Sequence, residues 1–299
     1  MMAKKIAFII NGARKLSYQV NQTITRCENQ SNIESHSFIT KGPKEAILFA
    51  RDACLNLFDV VIAVGGDGTV NEVVNGIIES KNSAVTLAIL ANGTGNDFLR
   101  GTNFLLNQDS FIEALLANTT KLVDVAKIES SIGISYFINI ADIGFGGKVV
   151  QILDKQRQFS GRKASYGLAI LRAFIGFRKP FLKIETPDFN FEGPILMVAI
   201  CNGTIFGNGL TINPFAQIND GKLNVTLLGK VSLLDYIMNL KNLKSGKKIS
   251  HPEAIYFETK NIEIKVVKGI AVSEADGEYL GSGNLSVSVL NSSISLLVY

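Results

Sequence analysis

A β-branched apolar run, Asp59–Val64, delivers the chain into Gly65-Gly66-Asp67-Gly68-Thr69, followed by Val70-Asn71-Glu72-Val73. Three glycines in four positions let the backbone take positive φ and let a ligand approach closely. A helix opening just after the loop would add N–H groups and a dipole that favour an anion. This is phosphate-site chemistry, although a tight structural turn with a capping Thr uses the same residues. No GxxxxGK[ST] occurs, and the loop is not GxGxxG, which argues against hydride transfer. Asp67 would repel a bare phosphate. It fits if Mg²⁺ is present, or if its carboxylate orders the loop by accepting backbone N–H groups. A second loop, Asn92-Gly93-Thr94-Gly95-Asn96-Asp97-Phe98, follows the run ending at Ala91. Adjacent strands of a parallel sheet deliver their loops to one edge, where ligands bind.

Other acids cluster near turns. Glu274-Ala275-Asp276-Gly277-Glu278 reads as a β-turn, and Ile218-Asn219-Asp220-Gly221 as a hairpin signal. Thr40, before Lys41-Gly42-Pro43, reads as a loop or cap residue.

These residues must be positioned by alternating elements. Strands are expected at Lys5–Ile10, Ile33–Ile39, Asp59–Val64 and Thr86–Ala91. Helices are expected over 14–29 (Tyr18, Ile24 and Cys27 inward), from Pro43 to Leu57 (Ile47, Ala50 and Cys54 on one face), over Val70–Ser80, and after a cap at Asp109 (Phe111, Ile112, Leu115, Leu116). This alternation implies parallel strands with crossover helices. From about Val125 the pattern changes to short strands: Ser135–Ala141, Leu182–Glu185, Ile195–Cys201, Lys222–Leu228, Ile255–Phe257, Ile262–Val267, Ile270–Ser273, Leu285–Leu290 and Ile294–Val298. Helices interrupt near 162–177 and 231–245. The reading is an α/β domain, 1–128, followed by a mostly antiparallel β domain, 129–289. The final segment, 290–299, could return to the first.

Composition narrows the class. With 299 residues and 46% hydrophobic, the chain can build real cores and is not disordered. No apolar run reaches the ~18 residues of a membrane span, and Ile6–Ile10 is too short for a signal-peptide core; a cytoplasmic protein is expected. Three widely spaced cysteines form neither a disulfide framework nor a zinc site, and nothing places His36 or His251 in a Ser-His-Asp triad. A net charge of +4 is too mild to argue for nucleic acid. Residues 148–183 nevertheless hold nine Lys/Arg against one acid, with Phe159, Tyr166, Phe174, Phe177 and Phe181 interleaved. Ala164, Leu168, Leu171 and Ile175 fall at helical spacing. They fit a helix that packs its apolar side on the β domain and shows a basic face to anionic lipid, or an ordinary amphipathic helix. Lys241, Lys244, Lys247 and Lys248 carry the same two readings.

The Gly65–Val73 and Gly93–Phe98 elements resemble the catalytic region of the diacylglycerol kinases, including soluble bacterial lipid kinases and the sphingosine and ceramide kinases. Asn202-Gly203, Gly207-Asn208-Gly209, Pro214-Phe215-Ala216, Asp220-Gly221-Lys222-Leu223 and Asp276-Gly277-Glu278 extend the resemblance in order and spacing over nearly the whole chain. NAD kinases share the Gly-Gly-Asp-Gly-Thr loop, but Asn71-Glu72 and the second loop look more like the lipid kinases. The sequence departs from the family at Asn11-Gly12-Ala13-Arg14-Lys15, which lacks a usual Pro, at Ala91 for Pro, at Gly146 for Asp and at Asn208 for Gly.

The resemblance implies a fold and a reaction. ATP- and Mg²⁺-dependent phosphorylation of a lipid hydroxyl, such as that of diacylglycerol, would occur between an α/β nucleotide domain and a β-sandwich. It implies ATP contacts at Asn11, Thr40, Gly65, Gly66, Asp67, Gly68, Thr69, Val70, Asn71, Thr94 and Asn96. Glu278 would be the base, with Asp276 a second candidate. Metal contacts are implied at Asp67 and at Asp220, the latter with backbone carbonyls of Gln217 and Lys222. The expected setting is the inner membrane face, with a membrane lipid as substrate, a homodimer admitted and no nucleic acid. An NAD-kinase-like or other small-molecule kinase, and a non-catalytic nucleotide- or lipid-sensing module, are the alternatives.

Overall fold

A computed structural model describes residues 3–102, 110–160 and 166–299. The chain runs through β1 (Lys4–Asn11), α1 (Tyr18–Glu28), β2 (Ile33–Thr40), α2 (Glu45–Leu55), β3 (Val60–Gly65), α3 (Asp67–Ser80), β4 (Thr86–Ala91), α4 (Asp97–Gly101) and α5 (Phe111–Ala117). Strands β1, β3 and β4 read as unbroken apolar runs because both of their faces are covered. They form a parallel sheet in the order β2-β1-β3-β4, and Ser295 and Leu296 near the C-terminus add parallel to β4. Alternate strand residues Ile6, Phe8, Ile62, Val64 and Leu90 pack under α1 and α5. On the other face, α2 and α3 cross so closely that a Cβ on Gly76 would lie 2.4 Å from the Ile47 carbonyl oxygen.

The chain continues through β5 (Thr120–Ser130), β6 (Gly133–Phe137), β7 (Ile140–Gly144), α6 (Phe145–Ser160), α7 (Tyr166–Phe174), β8 (Phe181–Glu185), β9 (Asn190–Pro194), β10 (Met197–Cys201), β11 (Ile205–Phe206), β12 (Leu210–Thr211), β13 (Leu223–Leu228), α8 (Leu233–Lys244), β14 (Ala254–Thr259), β15 (Asn261–Lys268), β16 (Val272–Ala275), β17 (Glu278–Ser282) and β18 (Leu285–Leu297). An antiparallel sheet in the order β14-β13-β10-β7-β16-β17 faces the antiparallel run β18-β15-β8-β9 with β5 and β6. Their inner faces share one core, including Ile143, Val198, Ile200, Val225, Ile184, Ile264 and Val287. The outer face of the six-stranded sheet, with Ile140, Ala199 and Cys201, is covered by α6, α7 and α8. The chain divides into two compact units, Met1–Val125 with Asn291–Tyr299, and Ala126–Leu290. The fold class is the expected one: an α/β domain and a β-sandwich-like domain.

Several expectations are corrected. Tyr18 is 75% exposed and does not face the core; Val20, Ile24 and Cys27 do. Pro43 precedes α2 rather than opening it, because Lys44 takes a left-handed conformation at the N-cap. Leu116 is exposed beside buried Leu115, and Asp109 lies outside the described residues. The run 135–141 breaks into β6 and β7, because the Ile138 and Asn139 N–H groups donate to the Asp276 carboxylate. The last two expected strands are one, β18, with Ser292 left-handed within it. A 16-residue helix, α6, occupies a stretch where none was expected. Finally, Asn219-Asp220-Gly221 does not join a hairpin: β12 before it pairs with β11, and β13 after it pairs with β10 and β14.

Candidate active site

In the first unit the strand order places β1 between β2 and β3, so successive connections leave β1 in opposite directions. The crevice at such a switch point, outside the carboxyl ends of the strands, is where open α/β sheets bind ligands. Every nucleotide-site candidate of the sequence lies on that edge or on the helices just beyond it. Asn11 ends β1 and Thr40 ends β2. The Asn11 Nδ2 donates to Thr69 Oγ1 at 3.1 Å, which bridges the switch point. The Gly12 N–H donates to Thr40 Oγ1 at 3.3 Å. Gly12 must be glycine here, since a Cβ would fall 2.2 Å from the Thr40 carbonyl oxygen.

The Gly65 loop and the Gly93 loop touch backbone to backbone. A Cβ on Gly93 would stand 2.4 Å from Gly66 Cα, and one on Gly65 would stand 2.3 Å from Thr69 Oγ1. Asp67 opens α3, and its Oδ1 accepts the Phe98 N–H at 3.3 Å, so the carboxylate ties one loop to the other. Of the two explanations for an acid in this loop, ordering by backbone N–H groups is thus present in the geometry. Gly66 is the N-cap of α3 and no side chain caps that terminus. The first-turn N–H groups and the dipole of a 14-residue helix are therefore available to an anion in a cradle lined by glycine. Asn96, left-handed at φ 50°, donates to the Gly93 carbonyl and keeps a buried Oδ1 that no described residue satisfies. Val70 and Asn71 stand further back: Val70 is buried with its N–H bonded to Gly66 O, and Asn71 is buried against Asn75.

Two residues here escaped the sequence reading. Arg14 reaches across to donate to Thr94 Oγ1 at 3.0 Å, placing an exposed guanidinium over the second loop. Glu72 caps the neighbouring helix, since its carboxylate accepts the N–H groups of Lys44 and Ala46. Asn92 braces the connection between β1 and α1 by accepting from the Ser17 N–H and donating to the Lys15 carbonyl.

In the second unit, Asp276 and Gly277 form the two-residue turn between β16 and β17, with φ of 49° and 85°, and Glu278 follows on its exposed end. Asp276 Oδ1 accepts the Asn139 and Ile140 N–H groups, and Oδ2 accepts that of Ile138. Both its oxygens are thereby given to the β6–β7 connection, a bracing arrangement rather than that of a mobile base. Asp220 is exposed in a bend, where Oδ1 accepts the Lys222 N–H at 3.0 Å, while the Lys222 ammonium pairs with Glu258. Among the described residues no cluster of three His, Cys, Asp or Glu side chains could hold a metal. The Asp220 carboxylate with the Gln217 and Lys222 carbonyls would instead make an all-oxygen set, the chemistry of a hard cation.

The basic segment differs from its expected form. Leu168, Leu171 and Ile175 are exposed, and Ala169 and Ala173 face inward; Ala164 lies outside the described residues. Phe145 and Phe174 pack at 4.1 Å between ring centroids, which sets that orientation. Beneath α7 and α8 lies an apolar cavity of about 50 Å³, lined by Phe145, Val149, Ile170, Leu196, Leu210 and Leu228 among others.

Residues 5–128 match the diacylglycerol kinase catalytic domain, and residues 139–298 match the YegS C-terminal NAD kinase beta sandwich-like domain. The chain belongs to this lipid kinase family. Relatives from Yersinia pestis strain Pestoides F and Yersinia pseudotuberculosis serotype O:1b, each named "Probable lipid kinase YegS-like", are 31% identical over 80% of this chain and 79% of their own. The fold is similar to that of two solved chains from Bacillus anthracis strain Sterne, each described as "a putative diacylglycerol kinase". One has a TM-score of 0.77 at 22% identity and covers 100% of this chain and 99% of that one. The other has a TM-score of 0.76 at 23% identity and covers 99% and 97%. The protein is accordingly a kinase of the lipid kinase type. Among its described residues no helix is long and apolar enough to cross a membrane.

Proposed function

We propose that the protein transfers the γ-phosphoryl group of ATP to the hydroxyl of a membrane lipid such as diacylglycerol. The observation that carries this reading is the uncapped α3 terminus within a glycine cradle, with Arg14 above it. When bound, ATP supplies the phosphoryl group and Mg²⁺ neutralises charge on its oxygens. The N–H groups of the Gly65–Thr69 loop and the Arg14 guanidinium hold the phosphates. Asn11, Thr40, Thr94 and Asn96 line the nucleotide, and Asp67 keeps the two loops in register and stands ready for the metal. Asp220, with the Gln217 and Lys222 carbonyls, takes a second cation that stiffens its bend. Glu278 accepts the proton of the attacking hydroxyl, and Asp276 positions the turn that presents it. Phosphoryl transfer needs little covalent help from the protein, so positioning and charge neutralisation carry most of the rate.

The apolar cavity supports a lipid acceptor. Its lining is mainly apolar, with Asp235, Tyr236 and Asn239 among the residues that border it. Both helices also expose apolar side chains: Leu168 and Leu171 on α7, with Ile175 just after it, and Leu234, Ile237 and Met238 on α8. Arg172, Lys241 and Lys244 flank them on the same helices. Apolar side chains fringed by cations suit peripheral binding to the anionic cytoplasmic face of a membrane. The test is Glu278→Gln. It should lower kcat by ~10²- to 10⁴-fold while ATP still binds; wild-type turnover would remove Glu278 from the reaction.

A further inference from the structure

Two acids lie beneath the Asp276-Gly277 turn and take no part in the transfer described above. Asp142 on β7 is wholly buried, and Glu274 on β16 is 5% exposed. They stand directly opposite each other in an antiparallel pair. Opposed residues share one sheet face with Cβ atoms about 4.5–5.5 Å apart. Each carboxyl holds a different piece of backbone. Glu274 Oε2 accepts the Gly277 N–H at 2.8 Å and so grips the turn that presents Glu278. Asp142 Oδ1 accepts the Gly147 N–H at 2.9 Å in the first turn of α6, and its Oδ2 is buried with no partner among the described residues. The glycines at the start of α6 permit this approach. A Cβ on Gly146 would fall 2.6 Å from Asp142 Oδ1, and one on Gly147 would fall 2.4 Å from the Val272 carbonyl oxygen.

Among the described residues no cation balances the pair. The turn adds only the carboxylates of Asp276 and Glu278, both of which disfavour charge on Glu274. Tyr279 on β17 lies opposite Glu274. β10 places Ala199 opposite Asp142, and the Cys201 thiol, pushed up by burial first and by Asp142 second, lies two residues along. On α6 the Lys148 ammonium is bonded to Gln151. Among the described residues neither carboxyl makes an ion pair. Two buried carboxyls facing each other without a cation cannot both ionise.

We propose that Asp142 and Glu274 hold one shared proton, and that this protonated pair is a positioning device that fixes the Glu278 turn and the start of α6 to the same two strands. It rests on the assignment of Glu278 as base. Burial supports it by pushing Asp142 up to about 7 and Glu274 well above the usual carboxylate range. Both folded values are raised, so the protonated form is the stable one and the grip is lost as pH rises through neutrality. The proton leaves to solvent, and the repulsion between two facing carboxylates outweighs the stronger hydrogen bond that an ionised Glu274 would make to the Gly277 N–H, so the turn is released.

The test combines two readouts on the full chain. In the wild type, the Gly277 amide resonance should move with pH on a curve with its midpoint near or above neutrality. In Glu274→Gln, which keeps an oxygen acceptor without the charge, that movement should vanish. The wild-type kcat should fall about tenfold per pH unit on the alkaline side. Glu274→Gln should abolish that limb, whereas Glu274→Ala should lower kcat at least tenfold at neutral pH with the KM for ATP unchanged. A Gly277 resonance that titrates identically in wild type and Glu274→Gln would overturn the shared proton. Wild-type kcat in Glu274→Ala would overturn the positioning role. Failure of the Glu278 assignment shows separately, as full turnover in Glu278→Gln with the Gly277 titration intact.

Discussion

Replacing Gly93 by Ala tests whether the Gly65 and Gly93 loops work as one surface of the proposed nucleotide site. The added Cβ would stand 2.4 Å from Gly66 Cα and 2.5 Å from Asn96 Oδ1. Carbon atoms in contact sit ~3.5–4.0 Å apart, so the loops must part by at least ~1 Å. Gly93 is absent from the positive-φ positions, so an Ala meets no backbone penalty and the effect is steric alone. Relief of such an overlap costs about 1–3 kcal/mol of stability. A displacement of ~1 Å at a reacting group costs about 100-fold in rate. Gly42→Ala is the control, since nothing lies within 4 Å of its Cβ. Urea unfolding measures the first effect, and kcat/KM for ATP, corrected for folded fraction, the second. Gly93→Ala should lose about 1–3 kcal/mol and ~100-fold in rate, with Gly42→Ala near wild type. A Gly93→Ala protein with wild-type kcat/KM would refute the coupling of the two loops.

In the proposed site Arg14→Ala would remove a charge-assisted contact to phosphate worth ~1.5–3 kcal/mol, and should raise the KM for ATP about 10- to 100-fold while leaving the KM for lipid unchanged; an unaltered KM for ATP in steady-state kinetics would take Arg14 out of the site. The triple change Leu234→Ser, Ile237→Ser and Met238→Ser removes exposed apolar surface from α8, and should weaken sedimentation with phosphatidylglycerol vesicles at least tenfold, since a fully buried side chain of this size contributes ~1.5–3 kcal/mol. Equal partitioning of variant and wild type would place the membrane contact elsewhere.

The parallel sheet and the edge that carries its glycine loops are legible because β-branched runs such as Val60–Val64 end in glycine, and both signals are local. The missed elements share a different cause. Helix α6 opens with Gly146-Gly147, a pair that argues against a helix, yet close approach to Asp142 and Val272 requires them. The face of α7 was misread because its period admits two stripes. Only the Phe145–Phe174 contact decides that Ala169 and Ala173, not Leu168 and Leu171, turn inward. Asp276 reads from the sequence only as a turn acid and second candidate base, because its three donors come from residues 138–140, far away in sequence. Asp142 and Glu274 did leave a trace: each is a lone acid within a short apolar strand, Ile140-Ala141-Asp142-Ile143 and Val272-Ser273-Glu274-Ala275. Arg14 left none, since its partner Thr94 lies 80 residues on.

The most direct test of the central claim is phosphate transfer from γ-labelled ATP to an extracted lipid mixture in detergent micelles, with Mg²⁺ and with EDTA. The account predicts a labelled product in the organic phase that forms with Mg²⁺, disappears with EDTA and is absent with Asp67→Ala. Label that stays in the aqueous phase, on a soluble acceptor or on ATP itself, would contradict it.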